Sequence, residues 1–105
     1  MMFLNGLYSI EKKEANEITI KLSSKEHPVF QAHFPEKPIL PGFIHLEIIE
    51  KLFNLDVSIV KKAKFITFVA PLESLKYKIN DNKTDILCMR DDKTIAQFKI
   101  SKDRI

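Results

Sequence analysis

Apolar and polar residues alternate in several short stretches of the chain. Ile18, Ile20 and Leu22 alternate with Thr19, Lys21 and Ser23, the period of two expected of a half-buried strand. Leu7 to Lys13 reads as a strand before it, and Ala15–Asn16 as the turn that joins the two in a hairpin. Val57 to Val69 reads as a long strand, with Ala63, Phe65 and Val69 on one face and Lys62, Lys64 and Phe68 on the other, ended by Pro71. Leu75, Tyr77 and Ile79 alternate with Ser74, Lys76 and Lys78, and Asp81–Asn82 is a turn signal. Asp85 to Arg90 and Thr94 to Ser101 are further strands around a tight turn at Asp91–Asp92; the last carries Ala96, Phe98 and Ile100 on one face. These connections are too short for parallel crossovers, so the sheet is expected to be antiparallel.

Between the early and late strands the pattern changes. Pro28, Pro35, Pro38 and Pro41 pace a stiff, irregular loop, where regular helix is not expected. From Gly42 or Phe43 to Leu55 the period becomes helical. Ile44, Leu46, Ile48, Ile49, Leu52, Phe53 and Leu55 spread over a wide arc of the helix, and Glu47, Glu50, Lys51 and Asn54 fill the remaining stripe. No Ser, Thr, Asp or Asn caps the start. The preceding proline sets the entry, leaving first-turn amides at the positive end of the helix dipole. A single helix this apolar needs a sheet curled around it. The expected class is α+β: one central helix wrapped by an antiparallel sheet of about six strands.

The 105 residues fit one domain spanning 1–105. A net charge of +3, with lysines spread among acids, gives no basic patch for nucleic acid. No apolar run approaches the roughly 20 residues needed to cross a bilayer. The N-terminus lacks the basic and apolar regions of a signal peptide. Cys88, the only cysteine, rules out an internal disulfide. A cytoplasmic protein with no membrane partner is expected, with Cys88 in the core. His27 is read as structural, and His45, inside the apolar arc, as a packed or interface residue. Histidine and glutamate spacing fits no standard zinc site, so no metal is expected. Glu47 lies four residues before Lys51, the spacing of an ordinary surface ion pair, so the pattern alone leaves its role open.

The stretch HPVFQAHFPEKPILPGFIHLEIIEKL resembles the signature of the hotdog-fold 3-hydroxyacyl-[acyl-carrier-protein] dehydratases, a loop of the form H-P-F-F-x-G-H-F-P-G-x-P-x-x-P-G before a helix L-x-x-E-x-x-x-Q. His33, Phe34, Pro35, Pro38, Pro41 and Gly42 match the loop, and Glu47 falls on the helix glutamate. KKAKFITFVAPLESLKYKI is similar to the family's K-A-R-F-x-x-P-V-x-P-G-D-x-L strand pair. Glu36 and Lys51 stand where the family has glycine and glutamine, and Leu72–Glu73 where it has Gly-Asp.

The resemblance implies dehydration of (3R)-3-hydroxyacyl thioesters carried on acyl carrier protein to trans-2-enoyl thioesters. His33 would be the base and Glu47 the acid, paired between subunits of a homodimer or higher oligomer. It implies no cofactor beyond the phosphopantetheine arm of the carrier. Gly42 and Phe43 would present the helix N-terminus to the thioester carbonyl; Phe30, Phe34, Phe43 and Ile44 would line the acyl tunnel. Two other readings stay open. One is a non-catalytic acyl-carrier-binding or partner subunit, assembled as a hetero-oligomer with another hotdog chain. The other is a hotdog thioesterase.

Overall fold

A computed structural model describes residues 4–32 and 36–101. The strands are β1 (Tyr8–Lys13), β2 (Glu17–Leu22), β3 (Ile59–Phe65), β4 (Ser74–Ile79), β5 (Asp85–Arg90) and β6 (Lys93–Ser101). They form one antiparallel sheet in the order β1-β2-β4-β5-β6-β3. The helices are α1 (Pro28–Gln31) and α2 (Gly42–Phe53), the latter packed into the sheet's apolar face. This is the hotdog arrangement that the resemblance implied.

The register explains why the sheet can hold α2. One cross-strand row runs Ile18–Tyr77–Cys88–Ala96–Phe65 across five strands. A second runs Ile79–Ile86–Phe98–Ala63. Side chains on one face of neighbouring strands lie side by side, so each row is a continuous apolar ridge. Against it α2 buries Ile44, His45, Ile48, Ile49 and Leu52. Cys88 belongs to that core, as its alternating position predicts.

The tight β5–β6 hairpin forms as its residues dictate. Asp91 and Asp92 both take positive φ, of 53° and 63°, the backbone of a two-residue turn that matches strand twist. Helix α2 begins at Pro41, which makes no side-chain cap, and ends at Asn54, whose φ of 53° is left-handed. Asparagine tolerates that conformation better than most residues. Glu50 Oε2 then accepts from the Val57 amide at 2.9 Å, fixing the exit toward β3.

Two sequence expectations need correction. The proline-paced loop does contain helix: Pro28 stands at the first position of α1, where its missing N–H is not needed. His27 caps it, its Nδ1 accepting from Val29 N at 3.1 Å while Nε2 lies 2.7 Å from Asn5 O. The long strand predicted to Val69 ends at Phe65. Beyond it Ile66 N donates to Ile95 O at 2.8 Å, and Leu40 N to Val69 O at 2.8 Å. That second bond ties the segment to the loop leading into α2. Arg90 holds the same segment, donating from Nη1 to Phe68 O at 3.0 Å and to Glu73 Oε1 at 2.8 Å.

Leu72 takes a φ of 67° and is 60% exposed. A left-handed leucine is strained, and little packing would be lost with its side chain. Leu72→Gly is therefore expected to raise the unfolding free energy by about 1 kcal/mol in urea denaturation. An unchanged or lowered midpoint would show that the turn carries no such strain.

Candidate functional site

The first turn of α2 sits against the segment after β3. A Cβ added to Gly42 would lie 2.8 Å from Cζ of Phe65. Only glycine allows the Phe65 ring to lie across the start of the helix at that distance. Beside this contact is a cavity of about 420 Å³, with walls from Ile39 to Phe43 on one side and Phe65, Thr67, Phe68 and Val69 on the other. His45 adds an imidazole to this otherwise almost wholly apolar lining.

His45 is 3% exposed. Its Nδ1 lies 2.7 Å from Tyr77 Oη, a fully buried phenol in the central cross-strand row. Phe65 stacks against the imidazole at 6.0 Å between ring centres, and Phe98 lies tilted at 5.7 Å. Burial lowers the His45 pKa from an ordinary 6.5 to about 4, because the imidazolium would lose its water. The same desolvation raises Tyr77 well above the usual phenol range. Near neutrality both groups are uncharged.

Glu47 follows His45 by two residues, so it points to a different side of α2. It is half-buried and lines a separate hollow of about 410 Å³ with Leu4, Glu50, Lys51, Asn54 and Leu55. Its Oε2 is sealed from solvent and has no hydrogen-bond partner among the described residues. Lys51 lies in the same hollow, but no ion pair with Glu47 forms among the described residues. The surface-pair reading of the i, i+4 spacing therefore fails. A sealed carboxyl oxygen without a partner costs about 1–3 kcal/mol, so the site keeps it against folding stability.

The other predicted site residues divide. Gly42 and Phe43 are at the cavity wall, and Phe43 is 54% exposed. Ile44 is fully buried in the core. Phe30 needs correction: α1 turns it wholly into the core, and it takes no part in the cavity wall. His33 and Phe34 lie outside the described residues. Sequence reading missed Phe65 and Tyr77 as site residues. Phe65 carries a weak signal, since an aromatic beside a glycine is legible only once their separate segments are known to meet. Among the described residues no group of three metal-ligating side chains converges, and no helix is long and apolar enough to cross a membrane.

The comparisons with known proteins agree with the fold. Residues 10–103 match the family model described as ApeI dehydratase. The 3-hydroxyacyl-[acyl-carrier-protein] dehydratase FabZ of Ruminiclostridium cellulolyticum is 28% identical over 90 residues, 84% of this chain and 63% of that protein. The FabZ of Oceanobacillus iheyensis is 32% identical over 71 residues, 66% of this chain and 51% of that protein. The chain thus spans between half and two thirds of the length of these relatives. Among solved structures, the dehydratase heterocomplex ApeI:P from Xenorhabdus doucetiae matches with a TM-score of 0.65 and 25% identity, covering 91% of this chain and 95% of that one.

His45 gives the site a pH signature. Between pH 6.5 and about 4 the unfolded chain protonates this histidine and the folded chain does not. Its contribution to stability is complete above pH 6.5 and is lost as pH falls toward 4. Against His45→Leu, the unmutated protein should lose about 3 kcal/mol of unfolding free energy across that window, read by urea titrations at successive pH values. Parallel curves for the two proteins would contradict the burial of a neutral imidazole.

Proposed function

The chain belongs to the ApeI-like dehydratase family, and from that premise we propose that it dehydrates (3R)-3-hydroxyacyl thioesters on acyl carrier protein to trans-2-enoyl thioesters. The observation that carries this reading is Glu47: a carboxyl on the central helix, with one oxygen sealed and unpaired, at the position of the family motif's acid. A carboxyl is one of the side chains that can pass a proton to a leaving group in general-acid catalysis.

In this reading His33 takes the proton from the carbon next to the thioester carbonyl. Charge then grows on the carbonyl oxygen. The amide end of α2 at Gly42 and Phe43, with its dipole, stabilises that charge. The bond from C3 to oxygen breaks, and Glu47 gives its proton to the leaving hydroxyl, which departs as water. The apolar cavity beside Phe65 takes the acyl chain, with Phe43 and Phe68 at its mouth. His33 accepts one proton and Glu47 supplies the other, so the reading calls for no metal or cofactor of the protein's own.

Glu47 and the cavity open on different sides of α2. One chain therefore presents the acid and the acyl slot to different neighbours, which favours a site completed by a second subunit. Strand β3 is the means of pairing: it is an edge strand with all seven residues exposed, including Ile59, Val60 and Phe65. An unpaired edge of this kind is a template for another strand. A homodimer is the simplest assembly. A hetero-oligomer is the second reading, favoured by the solved heterocomplex and by Lys61, Lys62 and Lys64 on β3, which would crowd one another in a self-paired edge.

The assay supplies a 3-hydroxyacyl thioester on a carrier protein and follows enoyl formation. His33→Ala and Glu47→Gln should each lower the rate by about 10²–10⁴-fold. Variants as active as the parent would sink the assignment. Solution mass, by light scattering, should exceed that of one chain; a strict monomer with full activity would exclude a shared site.

A further inference from the structure

His45 is the one strongly polar side chain on the inner wall of the cavity, and it is buried beyond nine-tenths. Nδ1 is committed to Tyr77 Oη at 2.7 Å. Nε2 makes no hydrogen bond among the described residues. The residue that carries it lines the cavity.

The direction of the Tyr77 bond fixes which nitrogen carries the proton. Tyr77 has one phenolic proton and two neighbours able to accept it, His45 Nδ1 and the Cys88 thiol. Sulfur is a weak acceptor and an imidazole nitrogen a good one. The phenol therefore donates to Nδ1, and the neutral imidazole carries its own proton on Nε2. An N–H donor, on a ring held by a partner from the sheet, then belongs to a residue that lines an apolar cavity. Phe65 and Phe98, packed on the ring, prevent it from turning away.

We propose that His45 is a specificity residue, donating from Nε2 to an oxygen acceptor borne by the acyl group that fills the cavity. The ligand class is an acyl thioester with a keto, hydroxyl or ether oxygen beyond C3, where the chain reaches the inner wall. A plain hydrocarbon chain would leave the donor unpaired, and a site built to hydrogen-bond a ligand discriminates against the analogue that cannot. The inference rests on the reading that this cavity takes the acyl chain, but not on His33 or Glu47 performing the elimination.

The test uses the full chain in its native assembly and pairs of pantetheine thioesters of equal length. Within each pair one member carries a keto oxygen at a chosen position beyond C3, and the other a methylene. At one position the keto member should bind about 10-fold more tightly. His45→Leu should abolish the preference, His45→Gln should keep part of it, and Tyr77→Phe should weaken it by releasing the tautomer. In nitrogen-15 spectra of the unmutated protein, His45 should carry its proton on Nε2, and that signal should move with the keto probe only. This measurement decides the matter even where His45→Leu fails to fold. Equal binding at every position, no binding of either probe, or a preference that survives His45→Leu would overturn the proposal. Preference without enoyl formation would overturn the dehydratase reading and support this one; enoyl formation without preference would do the reverse.

Discussion

The structure depends on covering a helix that is apolar around most of its circumference. A flat sheet would touch α2 along one line and leave Ile44 or Leu52 in water. The curled sheet reaches around it, so five residues of one helix are buried together. Fully burying an aliphatic side chain such as Ile44, Ile48, Ile49 or Leu52 stabilises the fold by about 1.5–3 kcal/mol each. Glu47 sits on another side of α2 from the cavity, which forms where the first turn of the helix meets Phe65 of the sheet.

That arrangement places two kinds of chemistry on one helix without letting them meet. His45 faces inward and is set by the sheet through Tyr77. Glu47, on another side of the helix, is half-buried with one carboxyl oxygen sealed from solvent. The cavity wall between Phe65 and Val69 is held at both ends, by Leu40 at the loop and by Arg90 with Glu73 at the far side. A wall held this way keeps its shape without bound ligand, which lowers the ordering cost of binding. The cavity itself is lined by neutral groups.

Much of the fold was legible because its rules are local. Alternation in Ile18 to Ser23 and in Ser74 to Ile79 marked strands directly, and Asp91–Asp92 marked its turn. The width of the apolar arc on α2 required a wrapping sheet before any contact was known. Short α1 was missed because proline spacing was read as loop, although proline at a first helical position breaks nothing. The end of β3 was missed because Val57 to Val69 keeps its apolar character while changing partners. The site was less legible. The position of Glu47 could be read from the motif, but its sealed oxygen could not, since that depends on the packing around it. His45 was recognised as packed, yet its direction depends on Tyr77, a residue 32 positions away. Phe30 looked like tunnel lining because α1, which turns it inward, had not been seen.

The strand order also bears on how the chain is made. β3 follows α2 in sequence, but it lies at the edge of the sheet and pairs only with β6, the last strand. During synthesis from the N-terminus, α2 emerges when only β1 and β2 exist to cover it. Phe98 and Ala96, on the strand that ties β3 to the rest, come out last. The greasiest helix of the molecule must therefore wait uncovered on the ribosome for nearly half of the chain, and such exposure favours aggregation over folding. A nascent chain of this topology depends on holding that helix in solution until its final strand arrives.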